Sequence, residues 1–366
     1  MAVYKLFPQQ DTTIYSASPS KNTGLDEILE LSNNPIFGQQ QQSSRILIQF
    51  DQNQINEVFE LVEDKQFKCD INLYNANIEG ITSNFTIVAN PLAKEWQNGI
   101  GKFNNIPEQT LGSSWFSTGT ENWIDNIPTN ATSSLPAFLS SGGGVWWSGS
   151  EFTSSYSFGL YDSKDIKLDI TNSVEAWNSG SFPNYGSVIR IQEDNEFLNN
   201  TQQSITLNYF SRDTNTIFPP TLDIKWEDFT YQTGSLNVIN SNAVFLSLDN
   251  NLGEFDEKTV HRFNINCRPK YPNRVFQTGS LYTTNHYLPE NSFYGIQDTY
   301  NNEMIIDFDE TYTRISADDE GSYFIIYMNG LQPERWYKVI IKSKIKGQTI
   351  IFNDNNNLLF KIKNRV

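Results

Sequence analysis

The chain has 366 residues and a formal net charge of −16, with 38% hydrophobic and 14% aromatic residues. Its length predicts two domains, and its aromatic content excludes wholesale disorder because so many large apolar side chains can build a core. The acidic balance excludes a generic electrostatic nucleic-acid binder, which needs a basic face, and it disfavours adsorption to an anionic membrane. The sequence has no run of about 18 apolar residues, so we expect no bilayer-spanning segment.

Apolar and polar residues alternate in several segments of the first 226 residues, which is the pattern of half-buried β-strands. The strands predicted in this half lie at residues 44–50, 67–74, 165–170, 188–191, 204–210 and 222–226. Helical signal is limited to Gln54–Asp64 and Thr171–Ser179. Clusters of Asn, Gly, Pro and Ser separate the strands, as turns require. The sequence therefore predicts an all-β chain.

Residues 97–157 have a different composition, rich in Ser, Gly, Asn and Trp, and contain the run Gly142-Gly143-Gly144. A polar stretch of this length inside a compact domain is usually functional or is fixed by its own side chains. The aromatic anchors available to it are Trp96, Trp115, Trp123, Trp146 and Trp147. We interpret residues 97–157 as an ordered excursion with short strands, and call this segment the excursion.

A connector at residues 227–235 follows Trp226, and the alternation resumes at Leu236. The strands predicted beyond it lie at residues 244–248, 260–266, 304–308, 312–315, 323–328, 336–344, 349–352 and 358–362. Strands at this spacing, separated by turns, are typical of a sandwich of immunoglobulin-like size. We therefore predict a first β-sandwich domain at residues 1–228 and an Ig-like β-sandwich domain at residues 236–366.

Residues 11–226 carry a series of short segments in a defined order. The series is Asp11-Thr12-Thr13-Ile14-Tyr15-Ser16, Asn22-Thr23-Gly24, residues 43–51, Leu168-Asp169-Ile170-Thr171, Trp177-Asn178-Ser179-Gly180, residues 183–190, Phe210-Ser211-Arg212 and residues 219–224. In this order the segments resemble the DNRLRE family of β-sandwich domains found in secreted and surface proteins. The resemblance implies a jelly-roll-like sandwich, in adhesive or carbohydrate-associated settings, with no enzymatic activity of its own.

The N-terminus also looks like that of virion structural proteins of large tailed bacteriophages. The residues that carry this likeness are Ala2–Pro8 followed by Asp11–Tyr15, and Gly330–Val339 resembles the closing strands of Ig-like modules in such particles. The first residues lack the long apolar region and cleavage site of a signal peptide. The resemblance implies a virion protein assembled in the host cytoplasm, oligomeric in the particle, with other virion proteins as partners and no direct nucleic-acid or membrane binding.

Residue types that carry chemistry are sparse in this sequence. His261 and His286 are the two histidines and lack metalloprotease spacing, and we expect Cys69 and Cys267 to be ordinary buried residues. The carboxylate groups Asp26/Glu27, Asp307/Asp309 and Asp318/Asp319/Glu320 are expected at solvated strand edges or turns. We predict no catalytic residue, no cofactor and no assigned metal ligand; a structural Ca²⁺ is an alternative whose ligands the sequence does not identify.

The candidate interface or ligand contacts are Trp146, Trp147 and Trp123. Neighbouring residues on a strand point to opposite faces, so at most one of Trp146 and Trp147 packs inward. The other can contact the loop itself, a protein neighbour or a sugar ring.

We predict a non-enzymatic structural protein of a tailed-phage virion, in a neck, tail-attached or head-decorating position, that acts through protein–protein interfaces. Two alternatives remain open. One is a carbohydrate-binding adhesin that recognises a host surface, and the other is a glycan-cleaving enzyme.

Overall fold

The computed structural model describes residues 2–34, 42–79, 84–133, 142–192, 196, 205–271 and 284–364. Most of the segments with alternating polarity form strands there. The strands are β1 (Ala2–Leu6), β2 (Gln10–Tyr15), β3 (Ile28–Asn34), β4 (Gln42–Gln49), β5 (Phe67–Leu73), β6 (Asn75–Glu79), β7 (Phe85–Pro91), β8 (Ala131–Thr132), β9 (Trp146–Trp147), β10 (Ser154–Phe158), β11 (Ile166–Asp169), β12 (Ser187–Ile191), β13 (Ile205–Phe210), β14 (Thr221–Trp226), β15 (Val244–Leu248), β16 (Glu254–Asp256), β17 (Val260–Pro269), β18 (Ser292–Asp298), β19 (Met304–Ile306), β20 (Ser316–Asp318), β21 (Gly321–Tyr327), β22 (Trp336–Ile345), β23 (Gln348–Phe352) and β24 (Leu359–Lys363).

The protein is 8% helical and 43% strand, which confirms the predicted all-β sandwich class. Side chains of β13 alternate between buried and half-buried positions, as its sequence predicts. The strand predicted at residues 312–315 is wrong. In that segment Arg314 forms only an isolated bridge with Phe293, because the Asp309 carboxylate accepts the N–H groups of Thr311 and Tyr312 and holds a turn.

Two helices have both of their ends within the described residues, and both lie where the sequence predicts them. They are α1 (Gln52–Val62) and α2 (Thr171–Asn178), and two single 3₁₀ turns lie at Ser150–Phe152 and Asn356–Leu358. Helix α1 begins two residues earlier than predicted, where the Asp51 carboxylate accepts the N–H of Asn53 at 2.8 Å. Its buried residues Ile55, Val58 and Val62 follow helical spacing.

The strands form four large sheets and one two-stranded ribbon in the described residues. The orders are β1-β14-β5-β11; β10-β7-β12-β4-β3-β13-β6 with β2 on β4; β15-β17-β21-β20; β16-β24-β22-β18-β19 with β23 on β22; and β8-β9. Most neighbours are antiparallel, and β16 and β24 run parallel. The ribbon β8-β9 belongs to the excursion.

The chain divides into two compact units. One unit comprises Leu6–Leu61 and Lys68–Asp223, and the other comprises Met1–Lys5, Val62–Phe67 and Ile224–Val366. Each unit has its own apolar core: a tryptophan-rich cluster in the first, and in the second a cluster that contains the stacked rings of Phe263, Phe324 and Tyr294. No helix in the described part of the chain is both long and apolar enough to cross a bilayer. The predicted domain limits at residues 228 and 236 stay a prediction.

Candidate functional site

A buried asparagine fixes the start of the excursion. The Asn22 amide donates to the carbonyls of Asn98 and Ser113 at 2.7 and 2.9 Å, and its Oδ1 accepts the N–H groups of Gly101 and Gly24 at 2.8 and 3.3 Å. All four hydrogen-bonding positions of this amide are therefore used. The Asn22-Thr23-Gly24 segment thus holds a loop that is about 80 residues away along the chain.

Glycine is required where several backbone segments meet around Asn22. A Cβ on Gly24 would lie 2.0 Å from the Asn98 carbonyl oxygen, and a Cβ on Gly112 would lie 2.5 Å from Gly99 Cα. Gly99 and Gly112 also have positive φ angles of 81° and 113°. The backbone segments at residues 99 and 112 are therefore in direct contact.

A buried ion pair fixes the glycine run of the excursion. Arg45 on β4 and Glu196 are both fully buried, and the guanidinium Nε and Nη2 donate to the two carboxylate oxygens at 2.7 and 3.1 Å. Ser43 donates a third hydrogen bond to the same carboxylate at 2.9 Å. The remaining Nη1 of Arg45 donates to the Gly143 carbonyl at 2.5 Å. This bidentate pair thereby links the sandwich to the glycine run of the excursion.

Tryptophan rings cover this ion pair. The Arg45 guanidinium lies 5.0 Å from the Trp115 ring centre and 5.3 Å from the Trp146 ring centre, and the guanidinium of Arg190 lies 4.7 Å from Trp146. These distances place cations over aromatic faces in a region without water access. Gly143 is confined by the same groups, since a Cβ there would lie 2.7 Å from Arg45 Nη1.

The three tryptophans selected from the sequence have different environments. Trp123 and Trp146 are 0% and 3% exposed, and the Trp123 indole N–H donates to the Ser114 carbonyl at 2.9 Å. Both rings belong to the tryptophan-rich core, with Trp96 and Trp115. Their surfaces are occupied by the protein itself in this conformation.

Trp147 points to the opposite side of β9 and is half-buried, as the alternation on a strand predicts. Its ring stacks on Phe182 at 5.3 Å, and Phe152 contacts Phe182 edge-on at 5.1 Å. The Trp147 indole N–H has no hydrogen-bond partner among the described residues. Whether Trp123, Trp146 or Trp147 contacts a partner stays a prediction, and Trp147 is the partly accessible one of the three.

The excursion also exposes large apolar side chains that the sequence analysis did not select. Ile100 is 63% exposed and Leu111 is 68% exposed, and each is next to one of the contacting glycines, Gly99 and Gly112. Further exposed apolar residues of this segment are Phe103, Ile106, Phe116, Ile124 and Ile127. The signal that could have identified them is the presence of isolated Ile and Leu residues in a polar loop whose tryptophans already supply its core. Exposed apolar residues that lie together in a patch are typical of interaction surfaces.

Acidic residues lie in structural positions. The Asp26 carboxylate accepts the N–H of Phe103 at 3.0 Å and so holds part of the excursion, and burial raises its pKa. Asp318 pairs with Arg262 at 2.5 Å, and Asp309 holds the turn described above. The described residues contain no group of three or more His, Cys, Asp or Glu side chains that could hold a metal ion.

One buried carboxyl group differs from the others. Asp11 on β2 is 1% exposed, and burial raises its pKa from 3.8 to about 7, although its Oδ2 accepts the N–H of Arg212 at 2.7 Å. The nearby Asp213 raises the pKa further. Asp11 and Arg212 belong to two segments of the series that resembles the DNRLRE family, so these two segments meet in the folded chain.

His261 and the two cysteines have packing roles. His261 lies between Phe255 and Phe263, with ring centres at 4.5 and 4.6 Å. Cys69 and Cys267 are buried and form no disulfide within the described residues, and burial raises the pKa of Cys267 to about 12, which keeps this thiol protonated.

No protein-family model and no curated protein matches the chain. Two solved structures show weak similarity. One is a crystal structure of the binding domain of botulinum neurotoxin serotype D/C, with 9% identity, coverage of 89% of this chain and 68% of that chain, and a TM-score of 0.17. The other comes from a study of botulinum neurotoxin type C entry and its interaction with two ganglioside molecules, with 10% identity, coverage of 97% and 94%, and a TM-score of 0.19. Scores this low do not establish a shared fold.

Proposed function

We propose that this chain is a non-enzymatic structural protein of a tailed-phage particle, and that it acts by binding other proteins of the particle through the excursion. The observation that carries the proposal is the pair Ile100 and Leu111, two exposed apolar side chains on contacting backbone segments. Binding through this segment costs little backbone conformational entropy, because the Asn22 hydrogen bonds already order the backbone.

A particle protein is the partner that this surface suits. Apolar residues at the centre of an interface, with a polar rim, are the usual arrangement between subunits of an assembly. The net charge of −16 would keep free subunits soluble before assembly. It would also disfavour nonspecific adhesion of the protein to packaged DNA. The neck, the tail and the head surface are all compatible positions.

Mass spectrometry of purified particles tests the proposal directly, and peptides of this chain should be present in stoichiometric amounts. A double variant, Ile100→Asp with Leu111→Asp, should fold normally but be excluded from particles when it is the only copy supplied. Leu252→Asp is the matched control, because Leu252 is 76% exposed and lies in the other unit. Absence of the wild-type chain from every particle type, or normal incorporation of the double variant, would contradict the proposal.

A carbohydrate-binding adhesin is the second candidate, and the half-buried Trp147 on Phe182 favours it. An exposed indole face can stack on a sugar ring. Tryptophan fluorescence titrated with host polysaccharide would then show saturable binding that Trp147→Ala abolishes. Unchanged binding in Trp147→Ala, or no saturable binding at all, would count against this candidate.

A further inference from the structure

Basic residues are concentrated near the C-terminal end of this acidic chain. Residues 335–363 contain seven Lys or Arg residues and one Asp. Along β22, Val339, Ile341 and Ser343 point into the core, whereas Lys338, Lys342 and Lys344 lie on the opposite face. The outer face of this strand is therefore a local basic surface in a molecule of net charge −16.

The strand register gathers part of this surface around a pocket of about 560 Å³. Phe293 on β18 is paired with Lys342 on one side and bridges to Arg314 on the other. One row further on, the Lys344 N–H donates to the Asn291 carbonyl at 3.1 Å, and Thr349 of β23 is paired with Lys344. The pocket thus combines an aromatic ring with three cations, two neutral polar side chains and the carboxylate of Glu310.

The cations of the pocket are held in different ways. Arg314 is fixed by Glu290, whose Oε1 accepts from Nη2 at 2.5 Å and whose backbone carbonyl accepts from Nε at 3.1 Å, and by the ring of Phe229 at 3.9 Å. The Lys342 ammonium lies 5.7 Å from the Phe293 ring centre and 5.3 Å from that of Phe308.

Neither Lys342 nor Lys344 forms an ion pair within the described residues. Their positive charges therefore have no carboxylate partner there.

We infer that this pocket binds an anionic saccharide. Lys342 and Lys344 would pair with its carboxylate or other acidic group, and the half-buried ring of Phe293 would pack against the apolar face of the sugar ring. Asn291 and Thr349 can hydrogen-bond to sugar hydroxyls, and Glu310, which also lines the pocket, can accept from one. The volume lies in the range of small-ligand sites, so a single sugar unit suits it better than a flat protein surface.

This binding role goes beyond the structural function proposed above and does not depend on it. The test is calorimetric titration of the full chain with oligogalacturonate, with a neutral galacto-oligosaccharide and with poly-L-glutamate of equal charge. We expect oligogalacturonate to bind and the neutral oligosaccharide not to bind. Lys342→Gln should weaken binding about ten- to hundredfold because it removes a charged hydrogen bond. Phe293→Leu, which keeps an apolar side chain, should weaken it about fivefold.

Lys338→Gln is the matched control, since Lys338 lies on the same face of β22 but outside this pocket. It should leave the affinity for oligogalacturonate unchanged. Three results would each overturn the inference: no binding of oligogalacturonate, equal loss of affinity in Lys338→Gln and Lys342→Gln, or equally tight binding of poly-L-glutamate that Phe293→Leu does not alter. The circular-dichroism spectrum of each variant shows whether it has folded.

Discussion

Arg45 and Glu196 place two opposite charges where neither has access to water, a costly arrangement unless every polar atom is paired. The bidentate contact, the Ser43 hydroxyl and the Gly143 carbonyl supply most of that pairing. Such a pair contributes little net stability compared with apolar residues, but it fixes one arrangement of the chain. Here it joins β4, the glycine run and Glu196 in a single geometry.

Removing one partner of this pair should be strongly destabilising. Arg45→Met leaves the Glu196 carboxylate buried without its main partner, and we expect the free energy of unfolding to fall by about 3–5 kcal/mol. Urea unfolding followed by tryptophan fluorescence measures this change. The double variant Arg45→Met with Glu196→Gln should lose less than the sum of the two single variants. Simple addition of the two losses would show that the groups are not coupled.

The carboxyl group of Asp11 should make stability depend on pH. Its pKa is raised from 3.8 to about 7 in the folded chain, so the folded state binds this proton more tightly than the unfolded state. The resulting stabilisation is complete below pH 4 and is lost as the pH rises towards 7. Relative to Asp11→Asn, the wild type should therefore lose stability over this range, by at most about 1.4 kcal/mol per pH unit.

Urea unfolding at several pH values between 4 and 7.5 measures the difference between wild type and Asp11→Asn. Asp125→Asn, at an exposed turn of the same unit, is the control and should follow the wild type. A constant difference between wild type and Asp11→Asn across this pH range would be the contrary result.

At the scale of elements, alternation of polarity predicted the strands with one solvated or half-buried face, such as β13 and β22. It did not identify β7, in which the last five residues are all buried, because a strand covered on both faces has no alternation. It also did not identify β18, whose central Gly295 interrupts the pattern. A Cβ on Gly295 would lie 3.1 Å from the Ile306 carbonyl oxygen, closer than most Cβ contacts, so the backbone of β19 would have to shift to admit a side chain there.

The sequence predicted that the excursion is a distinct segment with its own aromatic anchors, but it did not predict the contacts that hold the excursion. The Trp and Gly content of residues 97–157 indicated an ordered excursion, because such a polar loop needs its own anchors. The partners of those anchors are remote in sequence: Arg45 and Glu196 are 151 residues apart, and Asn22 and Ser113 are 91 apart. No local pattern encodes such pairs. For the same reason the sequence did not distinguish the buried ring of Trp146 from the exposed side chains of Ile100 and Leu111.

The excursion should open when its buried asparagine is removed. Asn22→Ala deletes four hydrogen bonds and leaves the carbonyls of Asn98 and Ser113 without this donor. We expect faster amide exchange and faster proteolysis within residues 97–133, with a loss of about 2–4 kcal/mol in the free energy of unfolding. Asn105→Ala is the control, because this side chain makes one exposed hydrogen bond in the same segment. Equal protection of residues 97–133 in both variants would refute the anchoring role.

At the scale of the whole molecule, charge is unevenly distributed: the chain has a net charge of −16, yet residues 335–363 carry six more positive than negative charges. Binding to duplex DNA requires several cations that contact successive phosphates and release counterions. In this basic stretch Arg335, Lys361 and Lys363 are already paired with carboxylates. The cations left for an external anion are therefore few and local.

We expect no measurable binding of a 30-base-pair duplex in a mobility-shift assay, even at low salt of about 50 mM, where such contacts are strongest. A variant in which Glu254 and Glu334 are changed to Gln should gain weak, salt-sensitive binding, because it releases Lys363 and Lys361 from their partners. Glu57→Gln with Glu60→Gln, two exposed changes on α1 with the same effect on net charge, is the control and should bind no DNA. Duplex binding by the wild type with a steep dependence on salt would instead mean that the local basic face outweighs the acidic remainder of the chain.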